Sequence, residues 1–193
     1  MRMELLDRLE QATEFAASWI AQVSEADWPA DTPCTEWSVR QLANHLIGGT
    51  LLLSQVASGQ RVEPMALAPS TTANTEYRGL SAVDSYRTAT KHALSALGSP
   101  GALRRRWAMP LGPLPGSVLG NLLIFDAVVH GWDLSRALGR PAVLSDELVS
   151  HVDWFARGFV QASARGRIFG APVAVAEGAS SCDRLMGFLG RAV

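Results

Sequence analysis

Apolar residues recur at spacings of three and four along most of the chain. Leu5, Leu9, Ala12, Ala16, Ile20 and Val23 keep this period between residues 3 and 23, the mark of an amphipathic helix with one face turned to a core. The period breaks in SEADWPADTPCTEW, residues 24–37, whose proline and aspartate content predicts a loop. It resumes after WSVRQL, where Ser38 is placed to cap a helix and Gln41 can reach back to it. Trp37, just before the cap, can pack on Leu42 as a hydrophobic staple. The expected second helix runs from Val39 to about Ser58 and carries His45 on its second turn.

Residues 59–79 show no sustained period and are rich in Pro, Thr, Ser and Asn. So long a connection within a compact domain is a crossover or a functional lid. Ser81 with Asp84 repeats the capping pattern, and Val83, Tyr86, Thr90, Ala93, Leu94 and Leu97 continue a third helix until Gly98 and Pro100 end it. The prolines of RRRWAMPLGPLPG, residues 104–116, allow only extended or turning backbone. A fourth helix is expected from about Ser117 to Leu138, roughly 33 Å long, with Gly139 as its C-cap and Pro141 beyond. Ser145 caps a fifth, with Leu148, Val152, Phe155 and Phe159 on one face, ending near Gly166. The tail reads as an extended piece in APVAVA and a last short helix in SSCDRLMGFLG. Long amphipathic helices, one long crossover and few strand signals predict an all-α bundle, in a single domain spanning 1–193.

Composition narrows the function classes. With 48% apolar and 18% charged residues the chain is ordinary globular protein, and a net charge of -1 argues against nucleic acid as a partner. MRMELLDRLE carries charges too often for a secretory signal, and LIGGTLLLSQVASGQ is too short and too polar for a membrane span. The expected location is cytoplasmic, with no membrane partner. Cys34 and Cys182 form neither a CxxC pair nor a disulfide framework, which suits a reducing compartment.

The stretch FDAVVHGWDL, residues 125–134, sets Asp126, His130 and Asp133 into what otherwise reads as a buried helix. Such groups cost several kcal/mol to bury unless paired or bound. The three fall within about 60° of one another on one helical stripe. Asp126 and His130, four apart, can offer an oxygen and a nitrogen to one divalent cation, with a third ligand from elsewhere. His45 is the candidate, because it stands among core-type residues on another long helix, and bundles build metal sites from single inward side chains. The residues alone also allow a plain core histidine and an ordinary i, i+4 pair, the commoner outcome of so short a pattern. Asp133 can orient a ligand from behind or pair with an arginine. Cys34 is expected to pack rather than attack, because no base can be assigned beside it. Trp132 is expected in the core and Trp37 as a staple, rather than as substrate platforms, with His92 and His151 at the border of their apolar stripes. No nucleophile elbow, phosphate loop or dinucleotide fingerprint is present.

Two segments, TPCTEWSVRQLANHLIGG and DAVVHGWDLSRALGRP, resemble the N-terminal metal-binding domain of mycothiol-dependent maleylpyruvate isomerases, within the DinB/YfiT-like superfamily. The ending IFGAPVAVAEGASSCDRLMGFLGR is similar to a mostly actinobacterial branch of metal-binding proteins in that group. The resemblance implies a DinB/YfiT-like four-helix bundle with additional C-terminal helices. It also implies a metal bound by His45, Asp126 and His130, where the isomerase has glutamate and many DinB-like proteins histidine at the position of Asp126. The ion would be zinc, with nickel, iron or manganese as alternatives. The implied function is thiol-dependent transferase or isomerase chemistry with mycothiol or a similar small-molecule thiol and an electrophilic substrate. A metal-dependent hydrolase and a non-catalytic metal- or ligand-binding module are the alternatives. A second copy of the chain, as a homodimer, is an allowed further partner.

Overall fold

The computed structural model describes residues 2–77, 81–110, 112–160, 165 and 169–193. They fall into two compact units, Met1–Gly139 and Arg140–Val193.

The first unit is built on four long helices: α1 (Arg2–Ile20), α2 (Val39–Ala57), α4 (Ala82–Gly98) and α5 (Gly116–Ala137). A 3-10 turn (Pro64–Leu67) and a five-residue helix, α3 (Pro69–Ala73), interrupt the crossover between α2 and α4. Helix α1 packs on α5 and α4, while α2 packs on α4, α5 and α3. The expected all-α fold is thus observed. The periodic positions of α1 form its core face, with Leu9, Ala12 and Ala16 fully buried. Helix α2 starts where the capping box places it: the Ser38 hydroxyl accepts from the Gln41 amide, and the Gln41 side chain accepts from the Ser38 amide. Ser81 caps α4 by accepting from the Asp84 amide. The proline-rich stretch before α5 forms a two-stranded antiparallel ribbon, β1 (Arg106–Trp107) with β2 (Leu114–Pro115).

Helix α5 is buried nearly all round, which a run such as LLIFDAVVHGW demands of a helix at the centre of a bundle. Its close approach to α1 needs Gly131. A Cβ there would lie 2.6 Å from Phe15 Cε1 and 3.3 Å from the Ala16 Cα, so any side chain would push the two helices apart. Gly139 ends the helix with φ of 67°, the left-handed C-cap expected of it.

In the second unit α6 (Asp146–Phe159) packs on α7 (Ser181–Phe188). Serine caps begin both, Ser145 on the Leu148 amide and Ser180 in a capping box with Asp183. The α6 helix stops short of the expected Gly166. After Gly158, Val160 leaves the helical region at φ -80°, ψ 88°, and residues 161–164 and 166, where the remaining turns were expected, lie outside the described residues. Among the described residues no helix is long and apolar enough to cross a membrane.

Candidate metal centre

Three helix residues that are distant in sequence meet inside the first unit. One ligand atom from each of His45, Asp126 and His130 lies within 4.8 Å of the other two. His45 comes from α2, while Asp126 and His130 come from successive turns of α5. Asp126 Oδ2 lies 3.8 Å from His45 Nε2. Donors around a tetrahedral ion at about 2.0–2.1 Å stand roughly 3.3 Å apart, so small side-chain adjustments bring this set into range.

The two imidazoles are buried and stand edge to face, with ring centroids 5.2 Å apart. Burial, and secondarily the charge of His130, lower the pKa of His45 to about 3. His45 is thus neutral at physiological pH, the state a metal ligand needs. His130 Nδ1 lies 3.0 Å from Asp133 Oδ2. Toward an ionised carboxylate the ring can only donate, so Nδ1 carries a hydrogen and Nε2 is the His130 nitrogen turned to the cluster. Asp133 is fully buried, and its carboxylate stands behind His130 as seen from the cluster. The carboxylate of Asp126 is about a third exposed, more than either imidazole.

Trp37 has a larger part than the staple expected of it. Its ring lies 4.6 Å from the His45 ring and 5.7 Å from that of His130, tilted over both, so it forms an apolar wall against the two imidazoles. The loop that carries it is held by Thr32, whose hydroxyl lies 2.8 Å from the Trp37 carbonyl and accepts from the Cys34 amide. The same loop overturns one expectation about Cys34: His130 and Asp133 each put a ligand atom within 4.8 Å of its sulfur, so groups capable of taking a proton do stand beside it. Its partners are on α5, nearly a hundred residues away in sequence, and no local pattern reveals them. A second thiol, Cys182 in the other unit, is pushed up to about 11 by burial and then by Asp183.

Deeper in the bundle, the hydroxyls of Tyr86 and Thr90 are buried without a partner at hydrogen-bonding geometry. Burial, and then the charge of Asp126, push the Tyr86 phenol well above its ordinary value, with Thr50 and Thr90 pulling weakly the other way. A separate cavity of about 650 Å³ lies between the C-terminal thirds of α2 and α4, lined by Ser54, Gln55, His92, Arg105 and Trp107 among others. It does not include the histidine cluster.

Residues 9–135 match the model of the mycothiol maleylpyruvate isomerase N-terminal domain. Two uncharacterised proteins of Mycobacterium tuberculosis, from different strains, are each 30% identical to this chain over 193 residues, covering 99% of it and 100% of the relative. Among solved structures, mycothiol-dependent maleylpyruvate isomerase has a similar fold, with a TM-score of 0.57 at 17% identity over 80% of this chain and 67% of that one. A single-residue variant of that enzyme matches with a TM-score of 0.59 at 16% identity and the same coverage.

Proposed function

This chain belongs to the mycothiol maleylpyruvate isomerase N-terminal domain family, and from that premise we propose that it is a divalent-metal-dependent enzyme using a low-molecular-weight thiol, mycothiol or one like it, on an electrophilic substrate. The reaction class is transferase or isomerase, and the setting is cytoplasmic. The observation that carries the reading is the convergence of His45, Asp126 and His130 with ligand atoms within 4.8 Å of one another. The metal is zinc by preference, with nickel, iron and manganese acceptable to the same donors.

When bound, a divalent ion supplies the positive charge that stabilises a thiolate, or a hydroxide, at neutral pH. The chain's own residues do the rest. His45 and His130 each offer a ring nitrogen, and Asp126 would offset part of the ion's charge. Asp133 holds the proton of His130 on Nδ1 and so keeps Nε2 aimed at the cluster. Trp37 covers both rings and limits the water that competes for the open positions.

One observation favours this over metal-assisted hydrolysis. Hydrolysis needs a general base near the activated water, and Asp133, the carboxylate one turn past His130, is fully buried and engaged by His130 Nδ1. A thiol that binds as the nucleophile has less need of such a base. The test is elemental analysis of metal-loaded protein, followed by turnover of a suitable electrophile with and without thiol. One ion per chain is expected, lost on alanine substitution at His45, Asp126 or His130, and a rate that requires thiol and saturates with it. Metal content unchanged in all three variants overturns the site; metal-dependent turnover without thiol overturns the chemistry.

A further inference from the structure

The crossover touches α2 along one stripe. Gln41 donates from Nε2 to Asn74 Oδ1 at 3.0 Å, and Asn44 donates from Nδ2 to the Ala73 carbonyl at 3.3 Å. His45 Nδ1 lies 2.7 Å from Thr72 Oγ1. At Gly48 the crossover comes closest: a Cβ there would stand 1.8 Å from the Tyr77 hydroxyl and 3.2 Å from Thr72 Cβ. Gln41, Asn44, His45 and Gly48 are at i, i+3, i+4 and i+7, a single helical face. That face is polar apart from a glycine, and it holds a segment that lies outside the four long helices.

The hydrogen-bond order at Thr72 follows from counting protons. Its hydroxyl has one hydrogen and two lone pairs. It lies 3.0 Å from the Pro69 carbonyl, which can only accept, so the Thr72 hydrogen goes there. With its hydrogen on that carbonyl, the oxygen offers His45 only lone pairs, the arrangement in which His45 donates from Nδ1. The bare nitrogen of His45 is Nε2, the atom 3.8 Å from Asp126. His130 reaches the same state through a carboxylate on its own helix; His45 reaches it through a hydroxyl 27 residues away.

We infer that Thr72 is the positioning residue that fixes the Nδ1–H tautomer of His45, and that docking of the crossover on α2 through Gly48 is part of what makes this cluster a metal site. The second half rests on the metal reading above; the first does not. Removing the oxygen frees the His45 ring to carry its proton on either nitrogen, and every tautomer with hydrogen on Nε2 is closed to the ion. Partners of this kind are worth about 10–100-fold in metal affinity. Thr72 touches no ion, so its effect passes through His45.

The experiment compares Thr72→Val, Thr72→Ser and Gly48→Ala with the wild type, using zinc alone as the probe. Imidazole nitrogen NMR of the metal-free proteins, with His45 assigned through His45→Gln, reads the tautomer directly. Nδ1–H is expected in the wild type and in Thr72→Ser, and a mixture or Nε2–H in Thr72→Val. Competition against a chelating dye reads affinity: Thr72→Val is expected to lose about 10–100-fold, Thr72→Ser to stay within about threefold, and Gly48→Ala to weaken binding although it removes no polar atom. A merely structural threonine predicts the opposite ranking, because valine keeps its shape and serine does not. Wild-type His45 protonated on Nε2 overturns the assignment, as does a Thr72→Val protein that binds zinc as tightly as the wild type. A wild type that holds no zinc would instead defeat the metal reading, while the tautomer measurement would still decide the role of Thr72.

Discussion

Each histidine of the cluster has one nitrogen committed and one free. For His130 the committed nitrogen faces Asp133, three residues on along the same helix, so the pairing is a consequence of helical geometry. The buried Asp133 would be costly alone, and the contact with His130 offsets part of that cost. Tyr86 poses the reverse case: its hydroxyl is buried with no partner in hydrogen-bonding geometry, next to a residue of the cluster. An unpaired buried hydroxyl destabilises by about 1–3 kcal/mol. Tyr86→Phe in metal-free protein is therefore expected to be as stable as the wild type or more so, by up to about 2 kcal/mol in urea denaturation. A clear loss of stability would mean that the hydroxyl has a bound partner in the folded protein.

At the level of elements, α5 explains why the cluster survives inside a core. The helix is buried nearly all round, so His130 and Asp133 on it face the core and not water. The motif HGWDL then has a division of labour. His130 faces the cluster, Gly131 admits α1, and Asp133 turns back to His130. Trp132 is buried beneath the Arg136 guanidinium, which lies 5.6 Å from its ring. Gly131→Ala forces its new methyl against the Phe15 ring and the α1 backbone. A loss of about 1–3 kcal/mol is expected from such overpacking, measured by chemical denaturation. Unchanged stability would show that α1 shifts freely on α5, contrary to the tight contact described.

For the molecule as a whole, the proposed ligands come from α2 and α5, and the groups that contact or cover them come from α5, the crossover and the loop before α2. An ion bound to the folded form alone adds about 2.7 kcal/mol at a hundredfold excess over its dissociation constant. The thermal midpoint of the bundle is thus expected to rise by several degrees when zinc is added to metal-free full-length protein, and to fall again with a chelator. The variant His45→Ala, His130→Ala should not respond. An equal rise in that double variant would mean that the ion acts elsewhere on the chain.

What could be read from residues in order was what depends on near neighbours. Four long helices, three serine caps and the Gly139 stop follow from spacings within a few turns, because helical periodicity and capping are local properties. Asp126 and His130 were visible for the same reason, and His45 followed from its place in an apolar helix and from family resemblance. Thr72 gave no signal. It sits in a stretch without periodicity, and only the folding of the crossover onto Gln41, Asn44 and Gly48 brings its hydroxyl to His45. Trp37 read as a staple because its sequence neighbours suggest one, whereas its ring rests on histidines from two helices. Cys34 read as isolated because His130 and Asp133 lie far along the chain. Local sequence determines which segments are helical and which faces are apolar. The chain's path in three dimensions decides which polar groups from distant segments become partners, because a hydrogen bond depends on separations of about 3 Å in space and not on separation along the chain.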